Sequence, residues 1–221
     1  MKFNLFKSSL RILLPCVLGC VLFTSNAQTD FCFDFSLVSS NFKFVDTGDN
    51  INKDFSSNLT NALNLGVVRT LNKGFVFGGS VGYRGAGAST QIGGVNFDWD
   101  FKYADVKGVV GYRLNKWRLR PYVTASSYYA FLLKATQTNG TTVYNNLEDK
   151  SISNTDFGII GTGGVNMKVS EEISVYATYN YIYGIKNIQM EENQELYNRG
   201  YSITFGMAFT ISKSSPQWIQ Q

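Results

Sequence analysis

The 221-residue chain contains no histidine. Histidine is the side chain whose unperturbed pKa lies near neutrality, and the common hydrolase arrangement uses it to take a proton from serine or cysteine. Histidine-dependent hydrolysis and acyl transfer are therefore excluded within this chain. Carboxylate or lysine chemistry stays formally open, but no paired carboxylates or phosphate-cradling glycine loop stands out, so the expectation is a non-enzyme without cofactor or metal. Cysteine is scarce: of three, Cys16 and Cys20 fall in an N-terminal apolar run and Cys32 stands alone. A lone thiol makes no internal disulfide, and the clustered ligands of a structural zinc site are absent. The apolar run itself, Ile12 to Phe23, is about 12 residues, short of the roughly 20 that a transmembrane helix needs.

Lys2, Lys7 and Arg11 precede that run, and Ser25 and Ala27 follow it as small residues. This is the order of a cleavable export signal, with cleavage expected after Ala27. A lipoprotein signal ending at Cys20 fits less well, because Val21, Leu22 and Phe23 continue the apolar run beyond it. Three of the 20 basic residues lie in 1–27 and none of the 16 acidic ones does, so 17 basic residues face 16 acidic ones in the rest of the chain. No basic cluster survives to neutralise a phosphate backbone, which removes the main support for nucleic-acid binding.

What the chain has instead is alternation. From Ile173 to Ile185, Ile173, Val175, Ala177, Tyr179, Tyr181 and Tyr183 share one parity, while Ser174, Tyr176, Thr178, Asn180 and Gly184 share the other. A period of two places these sets on opposite faces of a strand. Eight such segments are expected: Phe31 to Phe44, Leu59 to Leu71, Phe75 to Ala88, Phe97 to Leu114, Leu119 to Thr136, Thr155 to Val169, Ile173 to Ile185 and Arg199 to Ile211. The connections at 72–74, 115–118 and 170–172 are hairpin-sized, and those at 45–58, 89–96, 137–154 and 186–198 are longer and polar. The fold class this implies is all-β: an eight-stranded antiparallel up-and-down transmembrane β-barrel over 28–211, after a signal at 1–27 and before a short tail at 212–221. Gln28 to Asp30 would be a leader into the first strand. In such barrels short turns face the periplasm and long loops face outward, so both termini are expected to be periplasmic.

Alternation alone also fits a soluble barrel such as a lipocalin. Side-chain volume favours the membrane form. Phe31, Phe33, Phe35 and Leu37, or Tyr201, Ile203, Phe205, Met207, Phe209 and Ile211, would overfill a narrow interior, whereas Gly66, Gly78, Ser80, Gly82, Thr162, Gly164, Ser202, Thr204 and Gly206 on the opposite faces suit one.

Tyr103-Ala104-Asp105-Val106, Gly111-Tyr112-Arg113-Leu114, Arg120-Pro121-Tyr122-Val123 and Tyr129-Ala130-Phe131-Leu132-Leu133 form a tyrosine-led strand, a basic-aromatic end, a tight turn and an arginine-proline-tyrosine re-entry. Asp156-Phe157-Gly158, Gly163-Gly164-Val165, Ala177-Thr178-Tyr179 and Tyr183-Gly184-Ile185 add a second region. In these segments the chain resembles the porin-like, or PorT-like, outer-membrane β-barrel family. Lys107 and Thr178 depart from it, standing where that family often has a proline and a lumen-facing arginine. The resemblance implies an integral outer-membrane protein of Gram-negative bacteria; one branch of that family takes part in protein secretion and gliding. A barrel hosts many unrelated activities, so a branch-level role does not follow.

Candidate functional residues are the charges assigned to the lumen. On the fourth segment Val106, Gly108, Val110, Tyr112 and Leu114 share one parity and leave Asp105, Lys107 and Arg113 opposite. Arg84, Arg120, Lys134 and Asp156 are further inward candidates. Phe97, Trp99, Phe101 and Tyr103 carry the parity of the charges, so a bulge near Tyr103 and Ala104, or a strand extension above the membrane, is expected there. Tyr83, Trp99, Trp117, Tyr183 and Tyr201 suit the interfacial girdles, and Phe209 resembles the terminal aromatic of an assembly signal read by the barrel-insertion machinery. The expected role is structural or surface interaction, with outer-membrane lipid as partner and an extracellular or secretion partner unidentified. Narrow passive transport, or a place in a secretion machine, is the alternative.

Overall fold

The computed structural model describes residues 27–45, 51–52, 55–71, 73–114, 118–140, 142–145, 152–190 and 194–211. The expected signal, apart from Ala27, the tail after Ile211, and Trp117 lie outside them. Ten strands are present among the described residues: β1 (Ala27–Val45), β2 (Ile51–Asn52), β3 (Ser56–Leu71), β4 (Phe75–Ile92), β5 (Val95–Arg113), β6 (Leu119–Asn139), β7 (Thr142–Asn145), β8 (Thr155–Lys168), β9 (Ile173–Gly184) and β10 (Glu195–Ile211). Each long strand pairs antiparallel with its neighbours in the order β1, β3, β4, β5, β6, β8, β9, β10, and β10 pairs back to β1 from Thr29↔Ile211 to Val45↔Glu195. The sheet is thus an eight-stranded closed barrel without an open edge, with β2 and β7 as short additions beside β1 and β6. Closure is what satisfies the backbone of a strand in lipid.

The parity of the sequence is the parity of the wall. Phe31, Phe33, Phe35 and Leu37 face outward and exposed, while Asp30, Ser36 and Val38 between and beyond them are buried. β1 begins at Ala27, so the stretch expected as a leader is strand, and Asp30 is an interior residue. On β5 the outward set Leu114, Tyr112, Val110, Gly108, Val106 and Ala104 carries no charge, and the next outward residues are Lys102 and Asp100, whose charged groups pair at 2.8 Å. Ten residues of strand rise about 33 Å, which at a tilt near 40° gives a band of roughly 25 Å, the height of an outer-membrane barrel's apolar belt. Above Ala104 the strands continue past the belt.

Two expectations change there. The connection expected at 89–96 is a two-residue turn, because β4 and β5 extend until only Gly93 and Gly94 remain, at φ 61° and 82°. Two successive residues in the left-handed region are what a tight hairpin of this hand needs, and glycine takes them without strain. The second change concerns the bulge. β5 keeps one parity throughout; Phe101, Tyr103, Asp105 and Arg113 are all buried and inward. The extra residue is on the partner strand, where Lys102 pairs with Lys134 but Tyr103 pairs with Leu132, leaving Leu133 unpaired. That bulge reverses the facing of β6: Leu132 and Ala135 are buried, and Leu133 and Lys134 are exposed.

Candidate functional site

The interior is built in three layers. At the long-loop end it is apolar. Phe42, Phe101, Tyr103, Leu132, Ile152, Ile188 and Leu196 are buried together with small alanines, and Phe44, Phe55 and Trp99 pack onto them. Phe42 and Phe101 lie with ring centroids 5.4 Å apart, and Phe55 and Trp99 5.5 Å. Ile152 and Ile188 come from connecting segments that fold into the mouth, held by Ser153 N donating to Ile188 O at 2.8 Å and Ile188 N to Leu196 O at 2.9 Å. Trp99 therefore packs inward and is not part of the lipid girdle. Tyr83, Tyr183 and Tyr201 do face outward and exposed.

Below this stopper lies a buried ion cluster. Arg84 projects inward from β4, 3% exposed, with Nε 3.4 Å from Asp105 Oδ2 and Nη2 3.4 Å from Asp156 Oδ2. Its guanidinium carbon lies 4.9 Å from the Tyr128 ring centroid and 5.2 Å from that of Tyr103, so the cation is sandwiched by aromatic faces as well as carboxylates. Asp156 Oδ2 accepts further bonds from Tyr128 Oη at 2.9 Å and Asn198 Nδ2 at 2.9 Å. Asp105 Oδ1 faces Lys107 Nζ at 3.4 Å, Lys107 donates to Asn64 Oδ1, Asn64 Nδ2 donates to Asp34 Oδ1 at 2.6 Å, and Tyr176 Oη donates to Asp34 Oδ2 at 3.0 Å. The chain of contacts takes a residue from every one of the eight barrel strands. Gly82 makes the approach possible, since a Cβ there would come within 2.9 Å of Asp105 Oδ1 and closer still to Asn64 Oδ1.

At the short-turn end a second charged pair lies in the interior. Arg113 Nη1 lies 3.2 Å from Asp30 Oδ2, Arg113 Nη2 donates to Thr70 Oγ1 at 2.7 Å, and Asp30 Oδ1 accepts from Gln28 Nε2 and Thr210 Oγ1, each at 2.7 Å. Arg120 points inward on the next strand, its Nε buried without a hydrogen-bond partner. Between the two ion clusters lies a cavity of about 190 Å³. Its wall is mixed, with Val38, Val76, Val109, Ile160 and Ile182 beside a hydroxyl and amide patch: Ser36 and Thr204 share a 2.6 Å hydrogen bond, and Asn180 Nδ2 donates to Thr204 Oγ1 at 2.9 Å while its Oδ1 accepts from Thr162 at 2.8 Å. Thr178 lines the same space.

Of the residues singled out from the sequence, Arg84, Asp105 and Asp156 meet in one cluster, Lys107 extends it, and Arg113 and Arg120 sit at the other end. Lys134 does not belong to the set; the Leu133 bulge turns it to the outer wall beside Lys102. Phe209 is on the outward face, exposed, paired with Phe31 and Ile173. Sequence reasoning missed Asp30, Asp34, Tyr128 and Asn198 as interior residues, and placed Tyr176 on the polar parity without a partner. For the two aspartates the signal was present, because they alternate with Phe31, Phe33 and Phe35. For Tyr128 and Asn198 the only signal was parity.

A family described as outer membrane protein beta-barrel domain matches residues 14–209. Comparison with curated protein sequences finds no match. Among solved structures, the outer membrane protein OprG from Pseudomonas aeruginosa is similar at a TM-score of 0.51 and 10% identity, covering 85% of this chain and 97% of that one. Neisserial surface protein A gives 0.46 and 15%, covering 81% and 97%. Ail of Yersinia pestis, solved with the heparin analogue sucrose octasulfate, gives 0.44 and 13%, covering 84% and 99%. At these identities the likeness is one of fold.

Proposed function

Because the chain belongs to the outer-membrane β-barrel domain family, and so to the bacterial outer membrane, we propose that it is a closed, non-catalytic barrel that presents its long-loop end for surface interaction. The observation that carries this reading is the stoppered interior. A solute entering from the long loops meets Phe101 and Ile188, both fully buried, and then the Arg84 cluster. Eight strands leave an interior that side chains fill, and here they fill it at the long-loop mouth with apolar groups and below with paired charges. The same packing argues against catalysis, since the interior carboxylates are engaged and shielded from any substrate on the long-loop side. Short turns and both termini are read as periplasmic, long loops as external. Export follows the cleavable signal, and N-terminal sequencing of the protein from outer-membrane fractions should find Gln28 first. Retention of the 1–27 segment, or recovery in the soluble periplasm, would contradict this.

The experiment on closure is conductance. The purified protein in planar bilayers should give little or no current. The 190 Å³ cavity, lined in part by Asp34, Arg84, Lys107 and Arg113, is the observation favouring the second reading, passive passage of small ions. Large uniform steps whose selectivity shifts on Asp105→Asn or Lys107→Gln would establish that reading and reject the closed one.

A further inference from the structure

The outer wall formed by β1, β10 and β9 changes character over three successive rows of paired residues. Leu37, Ile203 and Tyr179 form the last predominantly apolar row; Ser39, Tyr201 and Tyr181 come next, then Asn41, Arg199 and Tyr183, then Lys43 beside Tyr197. Tyr179, Tyr181 and Tyr201 make a continuous aromatic ledge, with centroids 5.9 Å apart between Tyr179 and Tyr201 and 5.1 Å between Tyr181 and Tyr201. Such rings settle at the headgroup level, apolar body toward the chains and hydroxyl toward water. The cations stand immediately beyond the ledge. Arg199 Cζ is 3.6 Å from the Tyr183 ring centroid, and its Nη1 donates to Gly184 O and, at 2.9 Å, to Asn198 O, so the guanidinium is fixed against the wall. Lys43 Nζ and Arg199 Cζ lie 5.8 Å and 5.6 Å from the same Tyr197 centroid, flanking one ring from two strands.

Neither cation forms an ion pair with a carboxylate among the described residues. The acidic group of this stripe, Glu195, accepts a 3.0 Å bond from Tyr197 Oη. Elsewhere on the wall at comparable height, Lys102 is neutralised by Asp100 and flanked by exposed Asp98. Lys134 stands exposed beside Lys102, next to those two aspartates, whereas Lys43 and Arg199 form a ridge directly beyond the tyrosine ledge, at the depth where lipid phosphates lie.

We infer that the ridge of Lys43 and Arg199 binds the phosphate of an anionic lipid headgroup in the leaflet facing the long loops. Arginine supplies a planar fork of donors suited to phosphate oxygens and lysine a compact point charge, and the stacked Tyr183 holds the fork so that little freedom is lost on binding. The inference rests on the membrane-spanning reading and not on closure of the interior.

The test is native mass spectrometry of the processed full-length protein in neutral detergent, titrated with phosphatidic acid or with diacylglycerol of the same acyl chains. The unmodified protein should retain one phosphatidic acid at concentrations about tenfold below those needed for diacylglycerol, as expected when two cations near a headgroup add their attraction. Lys43→Gln with Arg199→Gln should abolish most of that preference. Lys43→Glu alone should do so as well, and it leaves the Arg199 stack on Tyr183 in place if the double variant fails to fold. Unchanged preference in a folded variant, or equal retention of diacylglycerol by the unmodified protein, overturns the inference. Displacement of phosphatidic acid by inorganic phosphate at similar concentration overturns the lipid assignment and reassigns the ridge to a soluble anion. A conducting barrel in planar bilayers would remove the closed-barrel reading and leave this result untouched.

Discussion

Replacing Arg84 by methionine should lower the stability of the barrel in detergent by about 3 to 5 kcal/mol, the cost found when one member of a buried ion set is removed. Methionine preserves much of the arginine stem, so the packing against Tyr103 and Tyr128 is largely kept and the lost quantity is charge. What remains is two carboxylates, Asp105 and Asp156, with side chains fully buried, which Arg84 had held at 3.4 Å each. Asp105 retains Lys107 as a partner, but Asp156 is left with only the Tyr128 and Asn198 donors. Adding Asp156→Asn should therefore restore a substantial part of the loss, because an asparagine carbonyl still accepts from both donors and the remaining Asp105 and Lys107 balance each other. The two changes should be strongly non-additive, as expected for residues in one network. Urea titration of the three variants in micelles measures this; an Arg84→Met midpoint equal to that of the unmodified protein would show that water already solvates the cluster.

The fold was legible because a closed barrel in lipid makes one strong demand, an uninterrupted period of two with apolar residues out, and β8, β9 and β10 obey it along most of their length. The site was less legible wherever the interior is apolar too. Phe101 and Tyr103 look like lipid-facing residues, yet they share the parity of Asp105 and point inward, since above the belt water is outside and the apolar side chains close the mouth. The single unpaired residue, Leu133, follows an identical residue, Leu132, so the sequence carries no mark of which leucine turns outward or of the reversal that moves Lys134 to the outer wall. Asp30 and Asp34 were overlooked for the opposite reason: the phenylalanines between them were the stronger signal. Tyr128 reads like Tyr129 until the barrel assigns one to Asp156 and the other to lipid.

The outer belt makes the second large prediction. Val110 is 61% exposed on the outward face of β5, midway between Leu114 and Ala104, with Phe77 and Ala125 as its cross-strand neighbours. Arginine at the midplane of a barrel's lipid face costs roughly 2 to 4 kcal/mol, falling to about 0 to 1 near the interfaces. Val110→Arg should therefore impair assembly strongly, Ile203→Arg somewhat less because it lies nearer the tyrosine ledge, and Ala104→Arg least. Thr204→Ala, directly beside Ile203 but inward, loses the hydroxyl bonds to Ser36 and Asn180 and should cost on the order of 1 kcal/mol. Heat-modifiability on gels and refolding yield into bilayers rank the four variants. The depth dependence is the discriminating feature: a soluble barrel would tolerate arginine equally at all three outward positions, since each would project into water, whereas lipid imposes a gradient that peaks at Val110.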